Sequence, residues 1–69
     1  MGSRKQDLFT HMKLIMHRIG FTVNEIHGAN DANYRRVTTE GAQALVRDLA
    51  KAETRKEALE AFNAHRWLI

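Results

Sequence analysis

The chain has 69 residues, 43% of them hydrophobic and 28% charged, with no cysteine, no proline and a net charge of +3. That length allows one domain with a small core, hiding about 60% of the surface the unfolded chain exposes. No disulfide or thiolate-bound zinc can brace it, and small unbraced chains commonly gain stability by self-association, so a homodimer is expected.

The aliphatic runs Leu14-Ile15-Met16 and Trp67-Leu68-Ile69 fall far short of the ~20 residues a membrane span needs. Arg4 and Lys5 are followed by Gln6 and Asp7, not by a long apolar core, so no secretory leader is read. A cytoplasmic protein with no membrane partner is expected. Residues 1–36 carry six basic and three acidic side chains, and residues 37–69 five of each. A mildly basic first half permits contact with nucleic acid or with an acidic protein face.

Ser3 and Gln6 have the spacing of a capping box, which predicts a helix over roughly residues 4–19. Leu8, Phe9, Met12, Ile15, Met16 and Ile19 form its apolar stripe. Gly20 ends it, with Phe21 placed to fold back on Met16 in a Schellman ending. Residues 21–38 admit two readings. Thr22 and Glu25 can cap a short helix from Val23 to His27, ended by Gly28. Alternatively, residues 21–27 and 34–38 form two strands of a hairpin, joined by the Gly-, Asn- and Asp-rich stretch 28–33. The hairpin is the reading preferred here.

Thr38-Thr39-Glu40 signals a helix start, and Ala42, Leu45, Val46, Leu49 and Ala50 follow at helical spacing. Thr54 and Glu57 form a further capping box, opening a helix from about Arg55 to Arg66. The fold class is therefore mostly α, a small α+β arrangement in one domain over residues 1–69. An N-terminal helix leads to a short β-hairpin or irregular turn, then to two consecutive C-terminal helices. Trp67-Leu68-Ile69 at the end of the last helix is apolar enough to need burial. With Leu59 and Phe62, these three residues are the expected dimer interface.

Catalytic chemistry finds little support. Ser3 is the only serine, there is no cysteine nucleophile, and the carboxylates alternate with basic residues as on solvated helix faces. His11, His17, His27 and His65 have no metal-ligand spacing. No enzyme, cofactor, metal or small-molecule substrate is expected. The densest polar cluster is Tyr34-Arg35-Arg36, which could hold phosphates, stack on a base or fork onto carboxylates. Leu14 and Arg18 share the polar side of the first helix, with Arg4 and His11. There Leu14 would make an apolar anchor within a charged rim. Arg18, Leu14, Tyr34, Arg35 and Arg36 are thus the expected partner-binding residues.

Two resemblances bear on function. Residues 34–45, with Tyr34-Arg35-Arg36-Val37-Thr38-Thr39-Glu40-Gly41 followed by Leu45, resemble the wing-to-helix junction of winged-helix DNA-binding proteins. This implies a small DNA-binding transcriptional regulator contacting DNA through Arg18, Arg35, Arg36 and residues 28–33. A full winged helix, however, needs two more helices before the hairpin, and only residues 21–33 lie between Gly20 and Tyr34. In small size, absence of cysteine and lack of catalytic groups, the chain resembles the small early proteins of bacteriophages that inhibit a host regulator or motor. This second resemblance implies an inhibitor or anti-activator that binds a host regulatory protein and blocks it sterically. It is the preferred expectation, with the DNA-binding regulator as alternative and a structural assembly subunit as a third class.

Overall fold

In the computed structural model, which describes residues 4–69, the chain forms four helices: α1 (Arg4–Ile19), α2 (Val23–Asn33), α3 (Thr39–Leu49) and α4 (Arg55–Ala64). α1 packs on both α2 and α3, and α3 packs on α4. The described residues contain no strand, so the fold is mostly α without the β component.

α1 follows from its apolar period. Phe9, Met12, Ile15 and Met16 are buried, with Leu8 and Ile19 half-buried at the edges of the stripe. The Ser3 half of its capping box lies outside the described residues. At the other end Gly20 takes φ 111°, a left-handed conformation that glycine adopts without a Cβ penalty. The Gly20 N–H then donates to His17 O and the Phe21 N–H to Met16 O, the two bonds of a Schellman motif. Phe21 is thereby turned into the core.

α2 replaces the expected hairpin. Both halves of the Thr22–Glu25 capping box form: the Glu25 N–H donates to Thr22 Oγ1 at 3.1 Å, and the Thr22 N–H to Glu25 Oε1 at 2.9 Å. The helix then runs through Gly28, because Ile26, Ala29, Asn30 and Asn33 share one buried face at i, i+3, i+4 and i+7. Two of those residues are asparagines, which favour turns when their amides compete for the backbone. Here each amide caps its own helix instead. Asn30 Nδ2 donates to Ile26 O at 2.7 Å, and Asn33 Nδ2 to Ala29 O at 2.6 Å. Gly28 sits mid-helix, exposed, with nothing within 4 Å of an added Cβ. Gly28→Ala is therefore expected to stabilise the domain by about 0.5–1 kcal/mol, read as a higher midpoint in urea at unchanged slope.

α3 starts where the sequence signals it, with Thr38 Oγ1 accepting from the Gly41 N–H at 3.0 Å. Ala42, Leu45, Val46 and Leu49 are buried, whereas Ala50 is exposed and Ala52 takes its place in the core. In α4 the Thr54 hydroxyl accepts from the Glu57 N–H, while the Glu57 carboxylate reaches the Glu53 N–H, one residue earlier than a capping box has it. Ala58 and Phe62 face inward, and the helix ends at Ala64, two residues short of the expected Arg66. Its terminus is a second Schellman motif: Arg66 N–H to Asn63 O and Trp67 N–H to Phe62 O. Here the left-handed position is filled by Arg66 at φ 62° instead of by glycine.

That turn delivers Trp67 to the core. Its ring stacks on Phe9 with centroids 5.2 Å apart and lies 6.1 Å from Phe62, which meets Phe21 edge-on. Phe62 and Trp67, expected at a dimer interface, therefore belong to the chain's own core. Leu59 is half-buried against the same core.

Candidate interaction surface

The cations of this chain divide into those held by intramolecular partners and those left free. Arg36 is held. Its Nη1 donates to Asn33 Oδ1 at 2.8 Å and its Nη2 to the Arg66 carbonyl at 3.0 Å. Asn33, fully buried, closes the clamp on the tail: its Nδ2 donates to Leu68 O at 2.7 Å and its Oδ1 accepts from the Leu68 N–H at 3.0 Å. One side-chain amide thus reads both backbone groups of Leu68, as a neighbouring strand would. Arg36 is consequently tied to the fold, and of the expected Arg35-Arg36 pair only Arg35 has no side-chain partner among the described residues. Lys5 is held too, with its Nζ 4.9 Å above the Tyr34 ring, while that ring meets Phe9 edge-on at 5.0 Å. Tyr34 remains exposed, with one ring face taken by Lys5.

Arg55 is held most firmly. It forks onto Glu25, with Nη1 to Oε1 at 3.0 Å and Nη2 to Oε2 at 2.8 Å, and its guanidinium lies 4.6 Å from the centroid of Phe21. This pair joins the start of α2 to the start of α4. The Arg55 hydrogen bonds, with that from the Thr22 N–H, pull the Glu25 carboxyl from 4.5 down to about 2. His65 pairs with Asp48 at 2.6 Å, and the hydrogen bond lowers the Asp48 carboxyl. Carboxylates with depressed folded-state values stabilise the fold fully above their unfolded values and lose that contribution as the pH falls. Stability should therefore decline between about pH 4.5 and pH 2, and Glu25→Gln should flatten that part of the profile. Urea midpoints measured across the range test this; parallel profiles for the two proteins would show that Glu25 is not the titrating group.

Leu14 and Arg18 are both exposed on α1, as the period requires, but their neighbours differ from those expected. Arg18 borders the α3–α4 connection, beside Ala50, Lys51 and Glu53. Leu14, 67% exposed, borders an open depression of about 240 Å³ between α1 and α2, together with Lys13, His17, Val23, Ile26 and His27. Val23 is 60% exposed. Arg4 and His11 do not line it, and neither do Tyr34, Arg35 or Arg36. The five expected partner-binding residues are thus not brought together into one surface. Val23, Lys13, His17 and His27, which line the depression with Leu14, were not among the expected residues. The available signal was the Thr22–Glu25 capping box, which puts Val23 at the first, outward-facing helical position.

A second cleft of about 220 Å³ between α1 and α2 is lined by Gln6, Phe9, Thr10, Lys13, Asn30, Asp31 and Tyr34. Beneath it the buried Asn30 Oδ1 has no hydrogen-bond partner among the described residues. Among the described residues no three His, Cys, Asp or Glu side chains converge as a metal site, and no helix is long and apolar enough to cross a membrane. Compared with protein families, characterised proteins and solved structures, the chain matches none.

Proposed function

We propose that this chain is a non-enzymatic protein-interaction module that binds a regulatory protein and blocks it sterically, in the manner of small phage inhibitors acting in the host cytoplasm. The observation that carries this reading is the pair Leu14 and Val23, two large apolar side chains held exposed on either side of the depression between α1 and α2. An apolar centre within a polar rim is the anatomy of a protein-binding patch, and its energy concentrates in a few central anchors.

The DNA-binding alternative is weaker. It needs Arg35 and Arg36 together, and Arg36 is bonded to Asn33 and to the tail. It also needs a wing, whereas residues 34–37 form a turn between two helices. A homodimer remains part of the proposal, formed through Leu68 and Ile69, which are 51% and 56% exposed.

Affinity capture of the tagged chain from its native cells, with and without nuclease, tests the reading. A stoichiometric protein that survives nuclease and is lost with Leu14→Glu is the expected result. Nucleic acid as the sole co-purifying species, or a protein retained undiminished by Leu14→Glu, would overturn it.

A further inference from the structure

The α1–α2 face is specific about charge as well as apolar character. Its rim consists of Lys13, His17 and His27, and no carboxylate borders the depression. None of the three side chains makes a hydrogen bond or ion pair with a described residue, unlike those of Arg36, Arg55 and His65, and Lys5 rests on the Tyr34 ring. Lys13 also borders the neighbouring cleft that contains Asp31, yet no ion pair joins the two. Of the two acidic residues of α2, Glu25 is paired with Arg55, and Asp31 lines the neighbouring cleft and not this depression. The first turn of α2, which carries Val23, adds the positive end of a helix dipole to the same face.

From this pattern we infer that the occupant of the α1–α2 face is an acidic amphipathic helix, seated with apolar residues over Leu14 and Val23 and carboxylates toward the Lys13 ammonium and the imidazole N–H donors of His17 and His27. The inference rests on the reading of this face as a protein-binding surface and specifies its partner. A helix laid in a groove between two helices presents anchors at i, i+3, i+4 and i+7, matching a patch built from one residue on each wall. A second copy of this chain fits poorly, because a two-fold contact would set each rim, with its Lys13 and no carboxylate, against its own copy. Duplex DNA fits poorly as well, because its phosphates would meet Leu14 and Val23 at the centre of the patch, where hydrogen-bond donors are needed.

The test uses a fluorescein-labelled helical peptide with leucine at i, i+3, i+4 and i+7 and glutamate elsewhere, its lysine counterpart, and a short DNA duplex. Binding is followed by fluorescence anisotropy. The glutamate peptide is expected to bind at least about tenfold more tightly than the lysine peptide. Leu14→Asn and Val23→Asn should each weaken it severalfold with unchanged melting temperature, and Lys13→Glu should remove the charge preference. Equal affinity for the two peptides, or binding unaffected by Leu14→Asn and Val23→Asn, would overturn the inference. So would DNA binding that the same variants abolish, or a dimer in sedimentation that Leu14→Asn dissolves. A captured cellular protein lost with Leu14→Glu but not displaced by the glutamate peptide would overturn the acidic helix alone. Capture indifferent to Leu14→Glu would remove the underlying reading itself.

Discussion

Trp67→Ala is expected to lower the stability of the domain by about 3–5 kcal/mol, the usual cost of truncating a large buried aromatic side chain. Trp67 is 4% exposed and packs against both Phe9 and Phe62, so its removal opens a void beside rings that Tyr34 and Phe21 already hold in place. A chain of this size has a total stability of roughly 3–10 kcal/mol, so the loss is at least a large fraction of it. At about 4–8 °C per kcal/mol for so small a domain, the melting temperature should fall by at least about 12 °C. Truncation after Arg66 should be at least as severe, since it also removes the Leu68 backbone from Asn33. Circular dichroism melting decides the matter. An unchanged transition would mean that the core is closed without the tail.

The second large effect is at Asn33. Asn33→Ala is expected to cost about 2–3 kcal/mol, because it takes from Leu68 the partner of both its backbone groups and from Arg36 Nη1 its acceptor, in a partly buried site. Asn33→Asp separates hydrogen bonding from packing. It conserves volume but turns a donor into an acceptor facing the carbonyls of Ala29 and Leu68. If Asn33→Asp is as stable as the parent, the amide is not what holds the tail. A double-mutant cycle with Arg36→Ala should show a coupling of about 0.5 kcal/mol or more, because Arg36 and Asn33 share a hydrogen bond and a common target. Strict additivity would make Arg36 a surface residue after all and return it to the pool of partner-binding cations.

Three of the four helices were legible in the sequence, each for a local reason. Gly20 and Phe21 announce the end of α1, Thr38 and Glu40 the start of α3, and Thr54 and Glu57 the start of α4. All of these act within one turn of the backbone. α2 was half legible: its capping box was visible, but Gly28, Asn30, Asp31 and Asn33 carry turn propensity that a single-residue reading cannot outweigh. Tertiary partners outweigh it. Arg55, thirty positions further on, holds Glu25, and Leu68, thirty-five positions on, occupies the amide of Asn33. The same distance in sequence concealed the role of Arg36, which looks like a surface cation and is tied to Arg66. Leu14 stood out as an apolar residue on a polar face. Its companion Val23 did not, because its position on that surface depends on α2 being a helix.

The Asn33–Leu68 clamp and the Trp67 plug also constrain how this chain is made. A ribosome emits the chain from its N-terminus at about 5–20 residues per second. Until Trp67 has emerged, Phe9 and Phe62 lack the ring that packs between them, and the end of α2 lacks the strand-like partner that its amide requires. The Phe9 end of the α1 stripe therefore stays open until residues 67 and 68 have been made, even where α2 and α3 already cover the rest. This domain closes only after residues 67 and 68 have left the ribosome, and a chaperone or a binding partner cannot meet it complete before then.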